Sequence, residues 1–381
     1  MKRSVSVLVL LLLVFVILFS FAQIETVKAI GLVYIRSDGS IEGAGLKLED
    51  GVYVFTGDIY GQIVIQKDGV TVDGSEYVLY GMGEGGIFLE NRSEVVLRNI
   101  KVVDAPFGIT MLNGSNNIIT GSNCSIKLEN SFNNTISGNE RISLLFNNSS
   151  KNIVTENNLS DNTDYGFKLQ STSNENNIFG NNITDSIGGI EFHGNSSYNM
   201  VHENWIVNNA DGIIFYYSDN NSIHDNVIAF NSNSGIFLKG SSQNSFFRND
   251  IVDNDEQVMC MWGTNIWDNG SEGNYWGDYN GTDNNDDGIG DEPYHIFTYQ
   301  IESGVDYDVD NYPLIEPLMI PEFPSWTLLL VMLVVVLVVV VVYRRALGKH
   351  NEWRIGHCRS GSGACGNLVN CILQKSGSGR H

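Results

Sequence analysis

Between Gly31 and Ser325 the apolar residues come in short alternating patches, each three to five residues long and closed by Gly, Asn or Ser. No run there keeps a 3.6-residue period for the ten or more positions that a helix needs, so the segment reads as strands and turns. The patches recur in a fixed order. Gly166-Phe-Lys-Leu, Gly189-Ile-Glu-Phe, Gly212-Ile-Ile-Phe and Gly235-Ile-Phe-Leu follow one another at intervals of 23 residues. Within each unit Asn-x-apolar-x-x-Asn returns, at Asn152/Asn157, Asn176/Asn181, Asn199/Asn204, Asn221/Asn226 and Asn244/Asn249.

A period of this length indicates a solenoid. Three patches per unit predict an all-β, right-handed parallel β-helix with three short strands per coil and about 22–23 residues per coil. Stacked coils place each strand beside its own copy at about 4.8 Å, so the glycines form one column and the asparagines others. An Asn at a turn can bond its own backbone and its copies above and below, which makes the asparagines a structural ladder and the Ile and Val between them the core. Looser spacing extends the frame backward through Gly86-Ile-Phe-Leu, Gly108-Ile-Thr-Met, Ser125-Ile-Lys-Leu and Arg141-Ile-Ser-Leu, the last two at 17 and 16 residues. The sum is eight coils over 86–255. Residues 31–85 are expected to form strand-rich entry coils that cap one end, and the acidic stretch 256–318 to close the other, with Trp262, Trp267 and Trp276 as an apolar plug.

The two ends of the chain differ from this pattern. Lys2 and Arg3, an apolar run from Val5 to Phe21 and the small exit Ser20-Phe21-Ala22 predict a signal peptide over 1–22, hence export. Trp326 to Tyr343 carries no charge and is followed by Arg344 and Arg345, which predicts a transmembrane helix with residues 23–325 outside. The last segment, 346–381, is Gly- and Ser-rich and is expected to be disordered.

Charge and cysteine content narrow the partners. From Gly31 to Ser325 there are 12 Lys and Arg against 42 Asp and Glu, a balance that excludes nucleic acid and suits cations or an exterior medium. Cys124 and Cys260 are the sole cysteines of that region, so no disulfide framework supports it, and a single bridge between them is left open.

The segments "YIRSDGSIEG", "YVFTGDIYGQIVIQKDGVTVDG", the Gly-Ile/Asn repeats and "NIWDNGSEGNYWGDYNGTDNNDDGIGDEPY...DNYPLIEP" together resemble the NosD-like, CASH-type family of exported right-handed parallel β-helices, especially its archaeal cell-surface members. The resemblance covers residues 33–318 and implies a fold shared with carbohydrate-binding proteins and sugar hydrolases. For the namesake branch it implies copper delivery in the periplasm. Pro321-Glu322-Phe323-Pro324 resembles a PEF-type sorting signal, which implies sortase processing at Pro321–Pro324 within a sorting motif and anchor over 321–345, although 36 residues follow Arg345 where such signals usually end sooner.

Candidate chemistry falls in four places. Asp283-x-Asn285-x-Asp287-Gly288-x-x-Asp291 places oxygens as a calcium loop does, with Tyr294 where the bidentate Glu would stand. His202 and His224 occupy equivalent positions beside Glu203 and Asp225 and suit copper or zinc, in a column that also holds Phe179 and Phe247. Trp205, Tyr216 and Tyr217 are outward aromatics suited to sugar rings. Asp185, Glu191 and Asp211 could supply carboxylates for sugar hydrolysis, although an acidic chain offers such pairs freely and a complete Gly-His-Gly motif is missing at Phe192-His193-Gly194. The expectation is a non-catalytic, calcium-supported surface protein that binds glycans or builds the envelope; the rivals are a sugar-active enzyme and a copper-handling accessory protein.

Overall fold

The computed structural model describes residues 29–318 apart from 82, 84, 161, 163 and 301–303. The signal peptide (1–22), the sorting motif and anchor (321–345) and the tail (346–381) expected above lie outside the described residues. The chain divides into two units, Met1–Ile320 and Pro321–His381, and every described residue belongs to the first. Among the described residues no helix is long and apolar enough to cross a membrane.

The described strands form three sheets, of 16, 11 and 6 strands. In each, a strand pairs in parallel with its counterpart one coil away, which makes the fold a right-handed parallel β-helix. Register is set by the repeat. Ile190, Ile213 and Ile236 align, as do Phe192, Phe215 and Leu238, and all six are fully buried. The glycine column is real and sterically required: a Cβ on Gly189 would stand 2.4 Å from the carbonyl oxygen of Gly212, and one on Gly212 equally close to that of Gly235.

The asparagines stack as two continuous amide ladders. One runs from Asn117 to Asn265 and the other from Asn139 to Asn274, so the two asparagines of each sequence pair belong to different ladders. Each rung is made the same way. In Asn181 both the backbone N–H (3.0 Å) and Nδ2 (2.9 Å) donate to Asn204 Oδ1, while Nδ2 also donates to the carbonyls of Val154 and Phe179. A shorter ladder runs from Ser186 through Asn209 and Asn231 to Asn254. Buried amides are costly only when unpaired, and here each turn of the chain supplies the partner for the turn before it.

From one asparagine to the next the backbone N–H and Nδ2 donate only toward the C-terminal end, so each of the two long ladders must finish on an acceptor. It does. The N–H of Asn265 donates to Asp308 Oδ2 and that of Asn274 to Asp310 Oδ2, both at 2.8 Å. These carboxylates belong to the closing hairpin of Tyr294–Gln300 and Gly304–Asp310. Trp267 and Trp276 donate their indole N–H groups to the same two aspartates and lie buried over the last coil. Trp262 is not part of this plug. It sits at the outer corner after Glu256–Met261, half-buried beneath the Lys239 ammonium.

Two further expectations change. Three strands per coil holds over Ile59–Ile65 to Lys101–Val103 and again from the coil of Leu144–Asn147, whose Asn158–Ser160 begins the third sheet; the coils between have two. Coils spaced by 17 or 18 residues lack the length for it and keep single bridges such as Lys101↔Asn123 and Glu140↔Asn158 in its place. The Arg141-Ile-Ser-Leu unit is also out of register by two: Ile126 pairs with Leu144 and Leu128 with Phe146, so the coil opens at Ser143, 18 residues after Ser125. In "ISLLF" a shift of two preserves inward alternation, and the Asn ladder, not the apolar pattern, decides the register. The parallel frame also begins before Gly86, since Ala29–Ile35 already pairs in parallel with Ile59–Ile65. Cys124 and Cys260 are both buried and free.

Two outcomes follow from the ladder and its end. Asn204→Ala takes the acceptor from two donors of Asn181 and is expected to cost about 3–4 kcal/mol in denaturant unfolding, whereas Ala at exposed Asn182 stays within about 0.5 kcal/mol. Burial pushes the Asp310 carboxyl up to about 6 from 3.8, against the pull of its hydrogen bonds from Asn274, Trp276 and Tyr312. A raised carboxyl pKa stabilises fully below about pH 4 and loses that contribution as pH rises through about 6. Tryptophan fluorescence melts are therefore expected to show the closing segment loosening between pH 4 and 7, with Asp310→Asn flattening that slope.

Candidate functional site

Outward positions of the long sheet follow the same columns as the core. The second residue after each glycine of the 23-residue units faces outward, giving the row Lys168, Glu191, Ile214, Phe237. Two positions further along, the row reads His193, Tyr216, Lys239. On the other side Tyr165, Gly188 and Asp211 align. Gly188 matters here because it has no side chain: a Cβ would stand 2.4 Å from the Tyr165 ring, which lies across it.

These residues enclose one carboxylate. Glu191 is 2% exposed although it is on the outer face of the sheet. Its Oε1 holds the Lys168 ammonium at 2.9 Å, and that ammonium stands 4.7 Å from the Tyr165 ring centroid. Its Oε2 is buried and meets no donor at full hydrogen-bond geometry, although the Tyr165 phenol hydrogen-bonds the same carboxylate closely enough to raise its own pKa. Burial, then the neighbouring Glu191 carboxylate, push the phenols of Tyr165 and Tyr216 above the ordinary tyrosine range, so both stay protonated donors. Tyr216 is also edge-on to His193, with centroids 5.9 Å apart. A buried carboxylate oxygen with no donor costs several kcal/mol. The carboxylate, already met by Lys168 and Tyr165, keeps the capacity to accept one further hydrogen bond, such as that of a ligand hydroxyl, beside an aromatic ring.

Of the carboxylates singled out from sequence, Glu191 and Asp211 share this face, and Asp211 accepts from Asn233 Nδ2 (2.7 Å) and Ser234 Oγ (2.5 Å). Asp185 stands exposed at a corner outside it. The aromatic trio separates. Tyr216 belongs to the long sheet, Tyr217 lies at the next corner with its ring over Gly240, and Trp205 is on the third sheet, paired with Asn182 and Val227.

His202 and His224 do align, within a stack that runs Phe179, His202, His224, Phe247 with ring centroids 5.1, 5.2 and 4.9 Å apart. The two imidazoles are within 7° of parallel. Nitrogens of both rings are engaged: His202 Nε2 lies 3.1 Å from Asn177 Oδ1, and His224 Nδ1 lies 2.8 Å from Asp225 Oδ2. A copper ion needs each ligating nitrogen at about 2 Å, which brings two ligands within about 4 Å of each other. Parallel rings held 5.2 Å apart between two phenyl groups do not converge in that way. The Cys124 and Cys260 thiols are no substitute, since burial pushes them up to about 12 and about 11. Among the described residues no three His, Cys, Asp or Glu side chains form a metal-holding group.

The calcium-loop residues form a hydrogen-bonded turn. Asp283 Oδ2 accepts the Gly288 N–H (2.8 Å), Asn285 Oδ1 that of Asp287 (3.2 Å) and Asp287 Oδ1 that of Ile289 (2.9 Å). Asp291 turns to Asn284, accepting from its N–H at 2.8 Å and its Nδ2 at 2.6 Å. Asp283 and Asp287 border a cleft of about 740 Å³ that Glu272, Leu314 and Glu316 also line. Each of the four side chains thus already serves the local turn.

Tyr165 and Lys168 escaped the sequence reading as members of a site. The signal was there: aligning the second residue after each unit glycine lists Lys168 and Glu191 as consecutive outward charges of opposite sign. Nothing in the sequence marks Glu191 as buried, because Tyr165 reaches it across a coil boundary.

Comparison with known proteins follows this geometry. A family model described as "Periplasmic copper-binding protein (NosD)" matches residues 62–281. Among solved structures, the periplasmic alginate epimerase AlgG is similar at 18% identity over 63% of this chain and 69% of that one, with a TM-score of 0.39. The Dettilon tailspike protein is similar at 12% identity over 65% and 60%, with a TM-score of 0.43. The mannuronan C-5 epimerase AlgE4 A-module of Azotobacter vinelandii is similar at 13% identity over 55% and 72%, with a TM-score of 0.33. No protein with a curated description matches the sequence.

The aromatic stack yields its own expectation. Replacing His202 and His224 together with Phe extends the Phe179–Phe247 stack and is expected to leave thermal stability unchanged or raised by up to about 1 kcal/mol. Cu(II) titration of that variant by calorimetry is expected to match the parent protein; a lost stoichiometric site would assign copper to these histidines.

Proposed function

Because the chain belongs to the NosD family of periplasmic copper-binding proteins, on a match over more than half its length, we propose that it is an exported β-helix. In this reading it is held at the cell surface by its C-terminal apolar span and binds a glycan on the outer face of the long sheet. The family's compartment and the N-terminal apolar run after Lys2 and Arg3 both support export. Copper, named in the family description, finds no ligand set among the described residues, and no step is assigned to it.

One observation supports the glycan reading: Glu191, a buried carboxylate on the outer face held by Lys168 and Tyr165, keeps Oε2 short of a full hydrogen bond in the neighbourhood of Tyr216. Sugar rings offer what is missing, hydroxyl donors on a body whose apolar face packs against an aromatic ring. Lys168 balances the charge of Glu191 through its other oxygen, so the site asks for a hydroxyl and not for a cation. The repeat makes the surface long enough for a chain, because outward rows continue without a break from coil to coil.

The test separates binding from folding. Glu191→Leu removes the carboxylate and leaves Lys168, whose side chain is 28% exposed, free to reach water. Stability of the full-length protein is expected to stay level or rise by up to about 2 kcal/mol, while glycan-array binding falls ~10-fold or more. Scoring the array for product release as well would expose a hydrolase or lyase. A variant that unfolds easily yet binds as before would make Glu191 a structural residue and remove the site.

A further inference from the structure

The same outer face carries a second unsatisfied group, three coils beyond Glu191. Trp262 follows Glu256–Met261 at a corner with φ of 59°, and its Nε1–H is buried without an acceptor. Above its ring lies the Lys239 ammonium, 5.3 Å from the centroid. Lys239 has no carboxylate partner among the described salt bridges, in a region where 42 acids surround 12 bases. Every other lysine that forms an ion pair on this face does so with a residue of its own or the adjoining coil, as Lys168 does with Glu191.

An indole N–H and an ammonium only donate. Placed side by side without an acceptor, they define a place for a group that only accepts, and the strongest such partner is an oxyanion. The geometry points to an acidic-sugar subsite: Lys239 and Trp262 receive the carboxylate of a sugar whose chain also passes over Glu191. This rests on the glycan reading above and adds the class of sugar. Lys239 shares an outward column with His193 and Tyr216, so the subsite continues the same face. Lys239 lies two strand spacings, about 10 Å, along the axis from Glu191, the span of about two sugar rings.

The surrounding acidity sharpens the specification. General attraction cannot draw a polyanion to a surface with this excess of carboxylates, but screening limits their reach to about 8 Å at physiological ionic strength. A glycan with acidic sugars spaced among neutral ones meets both demands: neutral rings over Glu191 and Tyr216, and a carboxylate at Lys239.

The experiment compares a neutral oligosaccharide with the same oligosaccharide carrying one uronate residue, and with a sulfate ester in its place, each titrated into the full-length protein. The parent is expected to bind the uronate form ~10-fold or more tightly than the neutral one. Lys239→Met should abolish that preference while leaving neutral affinity and the melting temperature unchanged. Trp262→Phe keeps the ring under the lysine and should lose part of the preference. Equal binding of neutral and uronate forms by the parent, or a preference that survives both substitutions, overturns the subsite and leaves the glycan reading standing. Preference for the sulfate ester over the uronate overturns the assignment to carboxylate. Failure of the parent to bind any of the three overturns both.

Discussion

The fold depends on one repeated interaction: an asparagine side chain whose Oδ1 receives both the backbone N–H and the Nδ2 of the asparagine one coil earlier. A hydrocarbon core alone would tolerate slippage, because Ile, Val and Phe at alternate positions pack nearly as well after a shift of two. A buried amide does not tolerate it, since a rung without its neighbour leaves donors unpaired in a medium that cannot supply partners. The ladders therefore fix which residues align, and variation in coil length is driven into the stretch between them. The 17- and 18-residue coils and the 22- to 24-residue coils stack on the same ladders, the longer ones using the extra chain to build the third sheet.

Because every rung donates in one direction, the stack has a polarity, and its last donors need an acceptor from elsewhere in the chain. Asp308 and Asp310 meet that need, returning on a hairpin 43 and 36 residues after the asparagines they serve. Their burial beside Trp267 and Trp276 explains an otherwise odd combination, acid and indole together over an apolar core. The acidity of the closing segment thus has two distinct components. Two aspartates terminate the ladders, and the exposed group around Asp283 and Asp287 shapes a turn.

Much of this is written in the sequence, and the limits of what can be read there are physical. The Gly166, Gly189, Gly212 and Gly235 column and both Asn ladders follow from spacing, since identical residues at a fixed period must superpose once the coils stack. Alternation alone misplaces the register at Arg141, because it has a period of two and Ser143-Leu-Leu-Phe satisfies it as well. The separation of Trp205 from Tyr216 comes from the corner at Asn209, which sends adjacent patches onto different sheets. Glu191 was legible as an outward acid. That it is buried under Tyr165 was not, because the cover comes from another coil and depends on Gly188 having no side chain.

A scaffold locked from within leaves its outer columns free to vary, and the rows that hold Glu191, Tyr216 and Lys239 are where they depart from simple repetition. The fold depends on the ladders being continuous hydrogen-bonded chains. Native-state hydrogen exchange at the backbone amides of Asn181, Asn204 and Asn226 tests this most directly. Protection equal to that of the neighbouring core strands is predicted for all three; exchange as fast as at the exposed turn residue Asp286 would contradict it.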